Sequence, residues 1–355
     1  MKICAQGFAI LIVGSLVWAS CKNNKMNPMT PLNINYPAAF VVNGEDNTVS
    51  VINTTTNQVS ETIRLNDDNM NGNMDQMLMY PHHVYLNPDK SMLSLGVPGM
   101  DLSEKHGGGM AGMKGKFALL SATTGMITKV VELPAMNHNA AFSPDGREIW
   151  TSQMQEEGKV LVYDANTYAL KSTVAVGKEP AEVTFSADGK VAFVANGGDN
   201  SVTAINPSTK AILKTIAVGI NPVAAWTGSD GKMYVDNEDG KSISIIDVAK
   251  LEVTETIDLG FMPGMAAYNG DMKELWVSDP NGGKVHWWKW DEAMNMYMHG
   301  GAFETGAGTH AIAFKGMSAY VTNQAAHTVS VADVMTHAET KEIPVGKKPN
   351  GLVLN

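Results

Sequence analysis

Short stretches of alternating apolar and polar residues, rich in Val, Ile and Thr, recur along this chain with turn residues between them. One set reads Ala192-Phe193-Val194-Ala195-Asn196, then Ser201-Val202-Thr203-Ala204-Ile205-Asn206, then Ala211 to Gly219. A second set runs Met233-Tyr234-Val235-Asp236-Asn237, Ser242 to Asp247 and Val253 to Ile257. A third reads Ala319-Tyr320-Val321-Thr322-Asn323, Thr328 to Val331 and Glu339 to Ile343, and the chain opens similarly with Phe40 to Asn43, Thr48 to Asn53 and Val59 to Ile63. Period-two alternation in short β-branched segments bounded by turns predicts strands. A fourth strand is predicted between sets, as in Ala181 to Ser186 before the turn Ala187-Asp188-Gly189-Lys190. Ala140 to Gly146 repeats that signature.

Four antiparallel strands in each unit of about 40 residues is the pattern of a β-propeller blade. Markers for the second strand fall near Asn43, Gly96, Gln153, Asn196, Asn237, Asp279 and Asn323, which predicts seven blades. The chain begins with the last three strands of a blade, and Pro349 to Leu354 reads as a first strand. Pairing the two ends closes the ring and leaves no sheet edge at the junction. The fold class expected is therefore all-β, a seven-bladed β-propeller closed by its N- and C-terminal strands, occupying residues 36–355 as one domain. These units resemble the YVTN β-propeller repeat family, whose tetrapeptide stands at Tyr320-Val321-Thr322-Asn323. The resemblance implies an exported or surface-located propeller and names no activity.

The first residues differ in kind. Lys2 and the apolar stretch Phe8 to Trp18 resemble a secretory signal, and Trp18-Ala19-Ser20-Cys21 resembles a lipoprotein lipobox with Trp in place of the usual Leu. The expected organisation is a signal peptide at 1–20, lipidation at Cys21, and a tether at 21–35. This places the protein in the cell envelope or outer membrane, held by its lipid, facing the periplasm or the outside. The two cysteines both lie within the first 21 residues, so the propeller has no disulfide of its own. A net charge of −10 disfavours nucleic acid, whose phosphates require a basic face.

Two intervals depart from the repeat. The marker spacing is 53 residues from Asn43 to Gly96 and 57 from Gly96 to Gln153, against 41 to 44 in later blades. Insertions are thus expected in Asn66 to Met79 and in Val97 to Gly115. The first carries Met70, Met74, Met77 and Met79; the second carries Met100, Met110, Met113 and His106. Thioether sulfur is a soft ligand suited to Cu(I), although methionines also fill gaps and form adaptable surfaces. Asp67 to Asp75 begins like a calcium loop, but Leu78 stands where the bidentate Glu belongs, so calcium is not expected.

Aligning the first strands puts His82, His138, Ala181, Val223, Gly264, His310 and Asn350 at one position facing the central channel. His83 follows His82, Met136 precedes His138 by two, and Met265 follows Gly264. Strand parity brings the three first-strand histidines and both insertions to one mouth of the channel. The candidate metal site is His82, His138 and His310, assisted by His83, His106, Met110, Met113 and Met136, with copper expected and zinc the alternative. The arrangement loosely resembles the histidine crown of nitrous oxide reductase propellers, with fewer His and no Cys ligand, and no reductase activity follows. Met294, Met296, Met298 and His299 form a second Met/His group, assigned by the same parity nearer the opposite face.

No nucleophile–base pair, nucleotide loop or CxxCH haem site stands out, so no catalytic residue and no organic cofactor are assigned. The expected function is a metal-binding envelope propeller that is not an enzyme. The alternative is a scaffold docking a protein partner on one face. A propeller hydrolase or oxidoreductase ranks below both.

Overall fold

A computed structural model describes residues 30–66, 77–103 and 112–355. Cys21, His106, Met110 and most of the calcium-like segment lie outside these residues. The described residues form seven four-stranded antiparallel sheets, arranged as a seven-bladed β-propeller. Blade four is representative, with strands Pro180–Phe185, Ala192–Asn196, Ser201–Ile205 and Ile212–Ala217 in order from the channel outward. Blade one combines Pro349–Leu354 with Ala38–Asn43, Thr48–Asn53 and Gln58–Arg64, so the two ends of the propeller chain share one sheet. The junction pairs Ala39 with Leu354, Phe40 with Val353 and Val41 with Leu352.

Each position of the recurring tetrapeptide has a physical task. Its first residue is aromatic in six blades, as Phe40, Trp150, Phe193, Tyr234, Trp276 and Tyr320, all at most 2% exposed. These rings fill the wedge between neighbouring sheets, where large apolar area leaves water. Blade two has Ser94 there, because its second strand ends at Val97, one residue beyond the Gly96 marker. The closing Asn reaches across to the third strand. Asn43 Nδ2 donates to Thr48 Oγ1 and Ser50 Oγ at 2.9 Å each, and Asn196, Asn237 and Asn323 bond the equivalent hydroxyls.

A glycine from the preceding blade packs against each of these amides. A Cβ on Gly177, Gly219 or Gly346 would lie 2.6 Å from the Cγ of Asn196, Asn237 or Asn43 respectively. On Gly306 it would lie 2.7 Å from that of Asn323. Gly346 against Asn43 shows that the seam is built like the other junctions.

The chain enters the ring on the side of the loops joining third and fourth strands. Leu32 N–H donates to Thr124 O at 2.9 Å and Ile34 N–H to Thr123 O at 2.8 Å, both in blade two. On the opposite side, Asn66 clamps the base of the first insertion through Leu78 N–H at 2.8 Å and Leu78 O at 3.0 Å. There Lys348 Nζ also meets Asp101 Oδ2 at 2.5 Å, tying the second insertion to the seam.

Candidate metal centre

Blades two and three have the shortest inner strands, Val84–Leu86 and Ala141–Phe142. The residues just before them are held to the sheet by single bonds, such as His82 N–H to Gly96 O at 2.9 Å and Gly96 N–H to His83 O at 3.0 Å. Without regular strand alternation, neighbouring side chains need not point to opposite faces. His82 and His83 consequently turn to the same place. Two glycines make room: a Cβ on Gly96 would meet His138 O at 2.4 Å, and one on Gly351 would meet His83 Nδ1 at 2.9 Å.

Four imidazoles gather there, and all are buried: His82, His83, His138 and His310 are 3%, 4%, 1% and 5% exposed. His82 Nε2 and His138 Nε2 are 2.9 Å apart. His82, His83 and His138 each offer a ring nitrogen within 4.8 Å of the other two. The ring of His310 stands farther off, its centroid 6.3 Å from that of His82 and 6.1 Å from that of His83. The expected trio of His82, His138 and His310 is therefore rearranged, with His83 joining the close group and His310 beside it.

A buried carboxylate supports the group. Glu182, fully buried, places Oε1 3.2 Å from His138 Nδ1 and 3.4 Å from His83 Nε2. Its Oε2 accepts from Tyr85 Oη at 3.0 Å. Burial, followed by the charge of Glu182, pushes the Tyr85 phenol well above its ordinary pKa, so it stays a donor. Farther round the ring, Asp236 is also fully buried and accepts from Ala224 N–H at 2.8 Å. Burial first, then the neighbouring Glu238, raises its pKa well above the usual carboxylate range.

The fit to a metal can be tested on the donors themselves. Glu182 is placed to take the Nδ1–H of His138 and the Nε2–H of His83, which leaves His138 Nε2 and His83 Nδ1 as lone-pair donors. Asn350 Nδ2 lies 2.5 Å from His82 Nδ1, and Asn350 Oδ1 is buried without a partner. Turning that amide over would let Oδ1 accept the His82 Nδ1–H and free His82 Nε2 as well. Amide orientation is an assignment made from such networks. Nitrogens bound to one metal at about 2.0–2.1 Å stand about 3 Å apart, close to the spacing of the two Nε2 atoms. Imidazoles oriented by a carboxylate are the usual surroundings of a protein-bound metal. The residues fit.

The methionines are placed differently. Met136 and Met154 pack with Leu102, Met100 and Met113 in a small apolar cluster, and Met154 N–H donates to Met136 O at 2.9 Å. Met77, Met79 and Met113 line a separate cavity of about 310 Å³ together with Lys114, Lys116 and Glu132. The thioether of Met265 accepts from Ile312 N–H at 3.2 Å. In blade six, His286 Nδ1 lies 3.4 Å from His299 Nε2, while Met294, Met296 and Met298 are exposed.

Glu182 and Tyr85 were not singled out by the sequence reading, and Asn350 was placed in the histidine register without a role. The signal for Glu182 was a lone charged residue inside the buried first strand Pro180–Phe185, one position after the histidine register.

No protein-family profile and no curated protein matches the chain. Solved structures do match over nearly its whole length. A functionally unknown protein from Desulfotomaculum acetoxidans aligns with a TM-score of 0.70 at 11% identity, covering 89% of this chain and 98% of its own. The periplasmic gluconolactonase of Pseudomonas aeruginosa aligns with a TM-score of 0.68 at 16% identity, covering 90% and 98%. A Bacteroides fragilis protein provisionally described as a 6-phosphogluconolactonase gives 0.68 at 16%, covering 92% and 99%. At such identities the likeness is one of architecture, and the chain is a seven-bladed β-propeller of the shape that these lactonase-type proteins share.

Proposed function

We propose that this chain is a transition-metal-binding propeller, with the ion held by His82, His83 and His138 toward the channel mouth at which the first strands begin. The observation that carries the reading is the three buried imidazoles within 4.8 Å of one another, two of them backed by Glu182. Imidazole donors favour copper or zinc over hard cations, with copper the ion proposed and zinc the alternative. Lipidation at Cys21 and residence in the cell envelope are part of the same proposal and rest on the sequence of the first 21 residues. A docking scaffold that binds a protein partner is the alternative, and it predicts no metal dependence.

Titration of the purified chain with Cu(I), Cu(II) and Zn(II) tests the reading. One equivalent should bind tightly, and the His82→Ala/His83→Ala/His138→Ala variant should lose that equivalent. Glu182→Gln should weaken binding about 10–100-fold, the usual effect of removing a partner of metal-bound histidine. Binding that survives the triple substitution would place the ion elsewhere.

A second reading is lactone hydrolysis, the activity named for the Pseudomonas propeller. The buried Glu182–His138 pair at 3.2 Å is a carboxylate–imidazole arrangement able to act as a base. Hydrolysis of gluconolactone by the same preparation, abolished by His138→Ala, would favour it.

A further inference from the structure

The channel does not end at the histidines. Below them lies a cavity of about 440 Å³ to which all seven blades contribute, with His83 and Tyr85 among its lining residues. The rest of the lining comes from the later parts of the first strands, including Thr184–Phe185, Trp226–Thr227 and Leu352–Leu354. His82 and His138 precede the first strands, so this cavity runs from the imidazole cluster toward the opposite face. Its volume is that of an ordinary small-molecule pocket.

The lining is selective. Phe142, Phe185, Trp226, Phe314, Leu352 and Leu354 present rings and branched apolar groups. The polar atoms lie on His83, Tyr85 and two threonines, and no Lys or Arg lines the cavity among the described residues. A phosphorylated or carboxylated sugar would lose its water there and gain no cation in return, which is prohibitive for an anion. A polyhydroxylated sugar would leave most hydroxyls unbonded. A neutral molecule with one aromatic or aliphatic body and few polar atoms would gain by leaving water at every wall.

We infer that the lower channel is a binding site for a small, neutral, largely aromatic or aliphatic molecule, whose polar end lies toward His83 and Tyr85. The site is independent of the metal reading, although an occupant would reach the wall formed by His83. It also separates this propeller from an enzyme of phosphosugar lactones.

N-phenyl-1-naphthylamine, a neutral two-ring fluorophore that brightens in apolar surroundings, tests the inference on the full chain. One molecule per chain should bind saturably. Ala313→Trp, which projects a ring into the cavity from blade seven, should weaken binding at least tenfold. Thr227→Trp, at an exposed lining position that tolerates the added bulk, should do the same, and it carries the test if the first variant unfolds. 6-Phosphogluconate should not displace the fluorophore. Absence of saturable binding, binding indifferent to the substitution in a folded variant, or displacement by 6-phosphogluconate would each overturn the inference. Zinc titration of the same variants keeps the two readings apart. Metal binding without fluorophore binding sinks the lower site alone, and fluorophore binding retained by a His82→Ala/His138→Ala variant, which alters no lining residue, sustains it whatever becomes of the metal.

Discussion

Asp236 holds a carboxyl where water cannot reach it. Burial, with Glu238 and more distantly Glu182 as further negative charges, favours its protonated form in the folded chain. In the unfolded chain the group titrates near the ordinary value of about 3.9. A folded pKa above the unfolded one means that the folded state binds the proton more tightly. The associated stability is fully present below about pH 4 and is lost as the pH rises through the folded value. Asp236→Asn keeps an acceptor for Ala224 N–H and has no charge to desolvate. Its thermal midpoint should therefore gain on that of the parent between pH 4.5 and pH 8, with a benefit of about 1–3 kcal/mol at the upper end. A difference that does not change with pH would show that the folded and unfolded chains bind the Asp236 proton equally tightly, so that burial does not raise its pKa. At this scale the sequence disclosed donors better than supporters. His82 and His138 stood out because the register repeats in every blade. Glu182 belongs to a position with no prevailing residue, filled elsewhere by His83, Asn139, Ala224, Met265, Ala311 and Gly351, and so had no pattern to depart from.

Strands and turns were legible because period two and the Asp-Gly or Pro-Ser-Thr turns are local signals. Contacts between blades were not. Asn237 and Gly219 recur at fixed places in the repeat, yet nothing in that spacing says that they touch across a sheet boundary. The glycine is there because the amide leaves no space for a methyl group. Gly219→Ala, whose Cβ would lie 2.6 Å from Asn237 Cγ, should cost about 1–3 kcal/mol of stability, measured by urea unfolding. The cost should shrink in an Asn237→Ala background, since the two changes share one contact. An undiminished cost would mean that the Asn237 Cβ, 2.8 Å away and retained in alanine, or the loop backbone requires glycine, and not the amide. The irregular inner edges of blades two and three also escaped the sequence. Strict alternation would send His82 and His83 to opposite faces, and only the short strand Val84–Leu86 lets them converge.

The ring is held shut by one pairing between distant parts of the chain. Ala39 and Leu354 are Cα partners across that seam, and the propeller contains no cysteine with which a new pair could exchange. An Ala39→Cys/Leu354→Cys disulfide should raise stability by about 2–4 kcal/mol when oxidised, because it closes nearly the whole propeller into one loop. Comparing thermal midpoints with and without reductant checks this. Equal midpoints would show that strain in the bridged seam offsets the entropy removed from the unfolded chain. Closure itself was legible from sequence, since strands two to four at one end and a first strand at the other complete one blade.

The two backbone bonds from Leu32 and Ile34 to blade two have a mechanical consequence. The chain is fastened to blade two before it crosses to blade one and enters the seam at Ala38. Tension applied upstream of Pro31 would therefore load those bonds first, ahead of the closing strand pair. Blade two would act as a strain relief, taking such a pull before it could unzip the ring.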